Sequence, residues 1–376
     1  MLTSDQNRKI NEIVEEFKEA ADFYRMEYSE DLMGMFRDFG CMLLLKCKVD
    51  TEGKADLERL LEGRHKLKGT VKRQLMTVSE ELAQLWAPGE QDGSGDTGEY
   101  EGSQNVREMF QTALEEIFHF CLYSKGGKNR YLLPEETAKP LLRLLTFPEG
   151  MMAGNEGLVV LDTQCGAGSA LMAASRYLKN LRLMGYEKYE EMGAAAVIMS
   201  QLSGLEMELH LEDGARADLY ESCDLVISNP VYGTDTIKDE ELIDQLPGEL
   251  KTVRGRYHME LIRSMQALNF DGKAMLIVPN SFLFANRTES VKVRKWLLQS
   301  YSLEAIISLP EDTFMYSGVR SGVMVFSKPF MSGGWEGHTQ RVLYYNLEKQ
   351  EDKEKQQKEY ERLEEVWSQR DSYYGK

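Results

Sequence analysis

Three stretches after residue 157 combine useful side chains with a backbone suited to present them. The first is Leu158–Leu171, LVVLDTQCGAGSAL. An apolar run ends in Asp162, a turn with Cys165, Gly166 and Gly168 follows, and a helical pattern opens near Ser169. Glycines in such a turn let the backbone approach a ligand closely, and strand carboxyl ends are where open α/β sheets bind ligands. The second is Glu187, which closes the run LRLMGYE. An acid there accepts both hydroxyls of a ribose; a solvated charge at a strand end looks the same. The third is Asp213 in LHLEDGA. It either accepts from the amino group of an adenine or simply starts an Asp-Gly turn.

A fourth stretch, Asn229-Pro230-Val231-Tyr232, directly follows the apolar run DLVIS. In isolation it is ordinary turn chemistry. At a strand end it also suits methylation of an exocyclic adenine nitrogen. That nitrogen is a poor nucleophile because its lone pair is delocalised into the ring. The Asn229 amide oxygen and the Pro230 carbonyl can each accept one N6–H, drawing the nitrogen toward a tetrahedral form. Tyr232 can stack on a base taken out of its helix. No metal is expected: none of the five histidines has a partner at ligand spacing, and Cys41, Cys47, Cys121, Cys165 and Cys223 form no CxxC pair.

The elements that must hold these residues follow from periodicity. Residues 1–86 read as helices, with Ile10, Ile13, Val14, Phe17, Ala21 and Tyr24 at helical spacing. Residues 87–104 are acidic and Gly-rich and read as a linker. A stripe from Val106 to Cys121 predicts a helix opening a domain over 105–330. Within it LVVLD, LRLMGYE, MELHLED, DLVISNP, KAMLIVP, LEAIISLP and GVMVFSK predict seven strands. Helix-length spacers between most of them imply an α/β, doubly wound and mainly parallel sheet. The last two have no such spacer and are expected to pair as an antiparallel edge. Residues 331–376 add a strand candidate, Arg341–Leu347, and a charged helix from about Glu351.

The net charge of −17 argues against a surface that grips nucleic acid everywhere. A nucleic-acid enzyme so charged needs a local basic groove or a basic partner. Arg287, Lys292, Arg294 and Lys295 form one modest cluster, and Lys251, Arg254 and Arg256 another, each also readable as a solvated face. The strip Gly233–Arg256 is polar and long for a loop, which suggests a substrate-facing lid. The opening residues lack a signal-peptide pattern, and no apolar run is long enough to span a membrane. A cytoplasmic protein with reduced thiols is expected.

The four motifs in this order resemble the N6-adenine DNA methyltransferases, and most of all the modification subunits of type I restriction-modification systems. That family carries D-x-x-C-G-x-G before N-P-P-Y/F. The resemblance extends upstream to Tyr131-Leu132-Leu133-Pro134 with EETAKPLLRLL, and downstream from Gly272 to Lys328. It implies a seven-stranded class I, Rossmann-like fold that uses S-adenosyl-L-methionine. Tyr131, Pro134, Asp162, Cys165, Gly166, Gly168, Glu187 and Asp213 would bind the cofactor. Asn229, Pro230 and Tyr232 would be catalytic. The partners implied are DNA and, because little chain follows Lys328, a separate specificity subunit. Departures are Val231 for the second Pro, Leu133 for Thr, Thr163 for Pro and Ser169 for Gly. They keep open a degenerate subunit that binds cofactor or a partner. Methylation of RNA or of a protein glutamine is a further alternative.

Overall fold

In a computed structural model of the chain the described residues are 2–28, 32–49, 60, 67, 69–86, 97–124, 132–145, 157–219, 222–233, 235–311, 313–314, 319–328, 341–350 and 352–370. The helices used below are α1 (Ser4–Glu27), α2 (Leu32–Lys46), α3 (Gly69–Ala83), α4 (Thr97–Leu122), α5 (Glu135–Arg143), α6 (Ser169–Tyr177), α7 (Glu190–Leu202), α8 (Glu240–Asp244), α9 (Arg256–Gln266), α10 (Asn280–Phe284), α11 (Thr288–Ser300) and α12 (Lys353–Ser368). The strands are β1 (Leu158–Asp162), β2 (Leu181–Tyr186), β3 (Met207–His210), β4 (Cys223–Ser228), β5 (Leu268–Pro279), β6 (Ser302–Ser308), β7 (Ser321–Ser327) and β8 (Leu343–Asn346). None of these helices is long and apolar enough to cross a membrane.

The chain divides into two compact units, Met1–Arg130 with Glu190–Glu206, and Tyr131–Tyr189 with Met207–Lys376. The first is helical. Thr3 and Gln6 close a capping box at the start of α1, satisfying two backbone donors that a helix start leaves open. Behind it the buried stripe Ile10, Ile13, Val14, Phe17, Ala21 and Tyr24 faces inward. Helix α4 begins at Thr97, inside the stretch read as a linker, and residues 87–96 of that stretch lie outside the described residues. It groups with this unit and not with the sheet. Its aromatic residues explain why: Phe120 and Phe118 meet Phe17 and Phe36, with ring centroids 6.4 and 5.1 Å apart. Helix α7 follows β2 in sequence but is apolar nearly all round, and Gly193–Ser200 is buried in this unit. Gly40 of α2 permits the contact, since a Cβ there would sit 2.5 Å from the Ile198 side chain.

The second unit is built on one sheet with strand order β3-β2-β1-β4-β5-β7-β6-β8. The first five strands of the chain pair in parallel, and β7 runs antiparallel between β5 and β6. Seven strands were expected in the domain, with a further candidate at Arg341–Leu347; that candidate forms β8, which pairs in parallel with β6. Alternate residues of β6 are buried, and without β8 its outer edge would present unpaired backbone groups. The antiparallel pair therefore lies inside the sheet and not at its rim. Ala274, Leu276 and Val278 of β5 join Met259, Ile262 and Met265 of α9 and Val293, Trp296 and Leu297 of α11 in one core. Full burial of such side chains contributes about 1.5–3 kcal/mol each.

Residues 233–255 are less lid-like than their polarity suggested. The strip carries α8, a 3-10 turn at Gly248–Leu250 and a bridge between Thr236 and Gly255 that closes its base. Ile237, Leu242, Ile243, Leu246, Leu250 and Val253 are all buried in the core. Spaced apolar residues, thinly spread among charges, anchor it.

Candidate cofactor and acceptor site

The direction of strand order reverses between β1 and β4, which lie side by side in parallel. The crevice at the carboxyl ends of such a pair is where open α/β sheets take ligands. Asp162 ends β1, and Asn229 follows the last residue of β4. Two distant motifs are thus brought to one rim.

The turn after β1 needs its glycines. Gly166 and Gly168 have φ of +57° and +78°, a region costly to residues with a Cβ, and Gly168 caps α6. Glu187, at the end of β2, reaches into this turn. One carboxylate oxygen accepts the Gly166 N–H at 3.0 Å and the other accepts the Tyr189 N–H at 2.7 Å. Asp162 accepts the Gln164 N–H at 3.0 Å. Both acids are nearly buried, at 2% and 7% exposure for Asp162 and Glu187. Burial pushes the Asp162 carboxyl up to about 7, with the neighbouring Glu187 charge adding to the rise and the Gln164 N–H opposing it. Burial also raises Glu187. Each carboxylate oxygen retains lone-pair capacity beyond the single bond described. A ligand bearing hydroxyl donors and a positive charge fits this pair.

Cys165 is fixed in this turn by its backbone. Its N–H donates to the Tyr186 carbonyl at 2.9 Å, and its own carbonyl accepts the Gly168 N–H at 2.8 Å. Its sulfur fills the space over Gly185, where a Cβ would lie 2.9 Å from it. Burial pushes its thiol well above the usual range. Of the two residues expected upstream, Pro134 caps α5 in an extended conformation, and α5 packs on α6. Tyr131 lies outside the described residues.

Asp213 stands in the turn after β3, pressed against the β1 turn: a Cβ on Gly214 would meet the Thr163 carbonyl at 2.3 Å. Its carboxylate accepts from the Ala215 N–H at 3.2 Å and from Arg256 Nη1 at 3.0 Å. In the acceptor loop Pro230 is buried, Asn229 is half-buried and Val231 is 41% exposed. The Tyr232 hydroxyl lies 3.3 Å from that of Ser321, and its ring meets Tyr257 edge to face with centroids 5.7 Å apart.

Helix α9 was not singled out from sequence except for Arg256, read there as part of a basic patch. Yet it meets the ends of β1 and β4 and the turn after β3. Arg256 bonds Asp213, while Arg263 donates to the Ala215 and Ala217 carbonyls at 3.0 and 2.7 Å. The Ser264 hydroxyl lies 2.5 Å from that of Thr163 and 3.5 Å from that of Ser228. The available signal was the polar series Arg256, Glu260, Ser264 at helical spacing within the apolar segment RYHMELIRSMQAL.

The family model for N-6 DNA Methylase matches residues 107–373, well over half of the chain. The chain belongs to the N-6 DNA methylase family. The chain is 24% identical over 291 residues to the methylase subunit of the type I restriction enzyme MjaVII of Methanocaldococcus jannaschii, covering 73% of this chain and 47% of that one. It is 26% identical over 213 residues to the type II restriction enzyme and methyltransferase RM.BcgI of Heyndrickxia coagulans, 52% of this chain and 31% of the relative. The chain thus spans a third to a half of the length of these curated relatives. Among solved structures, the type I restriction-modification methyltransferase subunit of Streptococcus thermophilus superposes with a TM-score of 0.61 at 16% identity, over 96% of this chain and 93% of that chain. A Listeria monocytogenes protein assigned to the class I S-adenosylmethionine-dependent methyltransferases gives 0.64 at 18%, over 96% and 99%. At these identities the likeness is one of fold, and the chain has the class I methyltransferase fold.

Proposed function

We propose that this N-6 DNA methylase transfers a methyl group from S-adenosyl-L-methionine to N6 of adenine in DNA, as a modification subunit working with a separate specificity subunit. The observation that carries this is the adjacency of Asp162 and Asn229 at the ends of paired parallel strands, within the span that matches the family. The bound cofactor supplies an electrophilic methyl on a sulfonium. Glu187 would take its ribose hydroxyls, Asp162 and the glycine turn would hold the rest of it, and Asp213 would accept from its purine. The Asn229 amide oxygen and the Pro230 carbonyl each accept one N6–H of an adenine turned out of the duplex. That orientation raises the nucleophilicity of N6, which would take the methyl as its bond to sulfur breaks, leaving a neutral thioether, and would lose a proton to solvent. Tyr232 stacks on the base, its hydroxyl steadied by Ser321. Aromatic stacking offsets about 1–3 kcal/mol of the cost of unstacking a base. The net charge of −17 is poorly suited to gripping DNA alone, which assigns grip and sequence choice to the partner.

The test is transfer of a radiolabelled methyl group to DNA by the chain with its specificity partner, followed by nucleoside analysis. The expected product is N6-methyldeoxyadenosine. Label in cytosine, in RNA, in protein or nowhere overturns the proposal.

A further inference from the structure

Arg256 opens α9 with its guanidinium between two carboxylates. Its Nη1 lies 3.0 Å from Asp213 Oδ2 and 3.3 Å from Glu260 Oε1. Glu260 is one helical turn on, with its side chain 5% exposed, so it anchors the guanidinium from inside the fold. Burial pushes the Glu260 carboxyl up to about 7, and Arg256 acts against that rise. The other cation near Asp213 is Arg216, whose Nε is 4.0 Å away. Its guanidinium instead reaches Asp239 at 2.5 Å, and its side chain is 59% exposed. The loop bearing Asp213 is fixed below by the two bonds from Arg263 to the Ala215 and Ala217 carbonyls. Asp213 thus has a defined place, and Arg256 is its charge partner.

We propose that Arg256 is a positioning residue that orients the Asp213 carboxylate toward the purine of the bound cofactor, so that α9 sets the preference for a 6-amino over a 6-oxo purine. The inference rests on the proposed cofactor and on Asp213 meeting its purine. An ionised carboxylate has no proton to give. It accepts from the amino group of adenine and faces the carbonyl of hypoxanthine with lone pair against lone pair. Sites built to hydrogen-bond an N–H reject analogues that lack it strongly, because their polar groups are left unpaired. Without Arg256, the carboxylates of Asp213 and Glu260 confront each other with no cation between them. Glu260, already raised by burial, is then the one to take a proton, and Asp213 loses the bond that fixes its Oδ2. A carboxylate released from the guanidinium no longer holds its lone pairs against the purine and discriminates less between the two.

Calorimetry with S-adenosylhomocysteine and S-inosylhomocysteine on the full chain tests this without turnover. The wild type should prefer the adenosyl compound by on the order of 10²-fold or more. Arg256→Met should bring the ratio below about tenfold, with Arg256→Lys between the two, since a lysine keeps the charge but not the fork. Asp213→Asn should lower the ratio with Arg256 in place, and the double variant should lower it no further. If Arg256→Met or Arg256→Lys weakens both ligands equally and keeps the ratio, Arg256 has only a structural role and the inference is overturned. A wild type that binds both equally overturns the purine contact and the inference with it. A wild type that binds neither overturns the cofactor reading itself.

Discussion

The side-chain oxygens of Thr163 and Ser264 lie 2.5 Å apart, tying the turn after β1 to helix α9. The direction of this bond follows from its neighbours. Ser264 donates to the Glu260 carbonyl at 2.8 Å, a group that only accepts. Thr163 must therefore donate to Ser264, and it accepts from Gln164 Nε2 at 2.7 Å. Both hydroxyl residues are buried. Ser264→Ala strands the Thr163 hydroxyl and should cost about 1–3 kcal/mol in denaturant unfolding. Thr163→Val with Ser264→Ala should cost less than the sum of the two single changes, because neither then leaves a partner behind. Strict additivity would show that the two hydroxyls do not interact.

Glu187 holds the Gly166 N–H in place as well as offering lone pairs to a ligand. Glu187→Ala should therefore weaken S-adenosylmethionine binding at least tenfold, equivalent to about 1.4 kcal/mol, by calorimetry. Unchanged affinity would remove Glu187 from the binding site.

Asn229→Ala should cut the rate of methyl transfer by ~10²–10³, the usual cost of one preorganised polar contact at a reacting centre. Cofactor affinity should hardly move, because the proposed role of Asn229 is toward the acceptor. Val231 stands where the family has a second proline and is 41% exposed, so Val231→Pro stiffens the loop without opening a cavity. Unchanged or higher turnover is expected. Full activity in Asn229→Ala would refute the assigned role of the amide.

Asp162 has a folded-state pKa of about 7, raised from 3.8 first by burial and then by Glu187. Below about pH 4 it is protonated folded or unfolded, and burial carries little penalty. Between pH 4 and 7 the folded chain binds the proton more tightly, so stability falls as pH rises. Asp162→Asn removes that penalty. Its stability relative to wild type should rise by about 1–4 kcal/mol from pH 4 to pH 8 in the ligand-free chain, while cofactor binding weakens. A gap that is flat with pH would show that Asp162 is ionised normally.

Titration of a fluorescent duplex with the purified chain should give weak binding, in the ~10⁻⁴–10⁻⁶ M range of non-specific contacts at physiological salt. Addition of the specificity partner should raise affinity and selectivity together. Nanomolar binding to a defined duplex by the chain on its own would contradict the division of labour.

Much of this was legible locally. Strand runs, the glycines at 166 and 168, the capped strand end at Asp162 and the Asn-Pro-Val-Tyr turn are short-range patterns, because alternation, positive φ and turn chemistry act within a few residues. Motif order and spacing then placed the chain in its family. What needed the folded chain is long-range pairing. Whether β8 joins β6, whether α4 and α7 group with α1 and α2 or with the sheet, and whether 233–255 is a lid or an anchored excursion depend on which apolar faces meet. The Cys165 sulfur meets Gly185 only because β2 pairs with β1. Arg256 looked like one of several surface cations, because nothing in sequence spacing shows that position 256 faces Asp213, 43 residues away. A charge pair of that kind is set by the packing of helix on sheet.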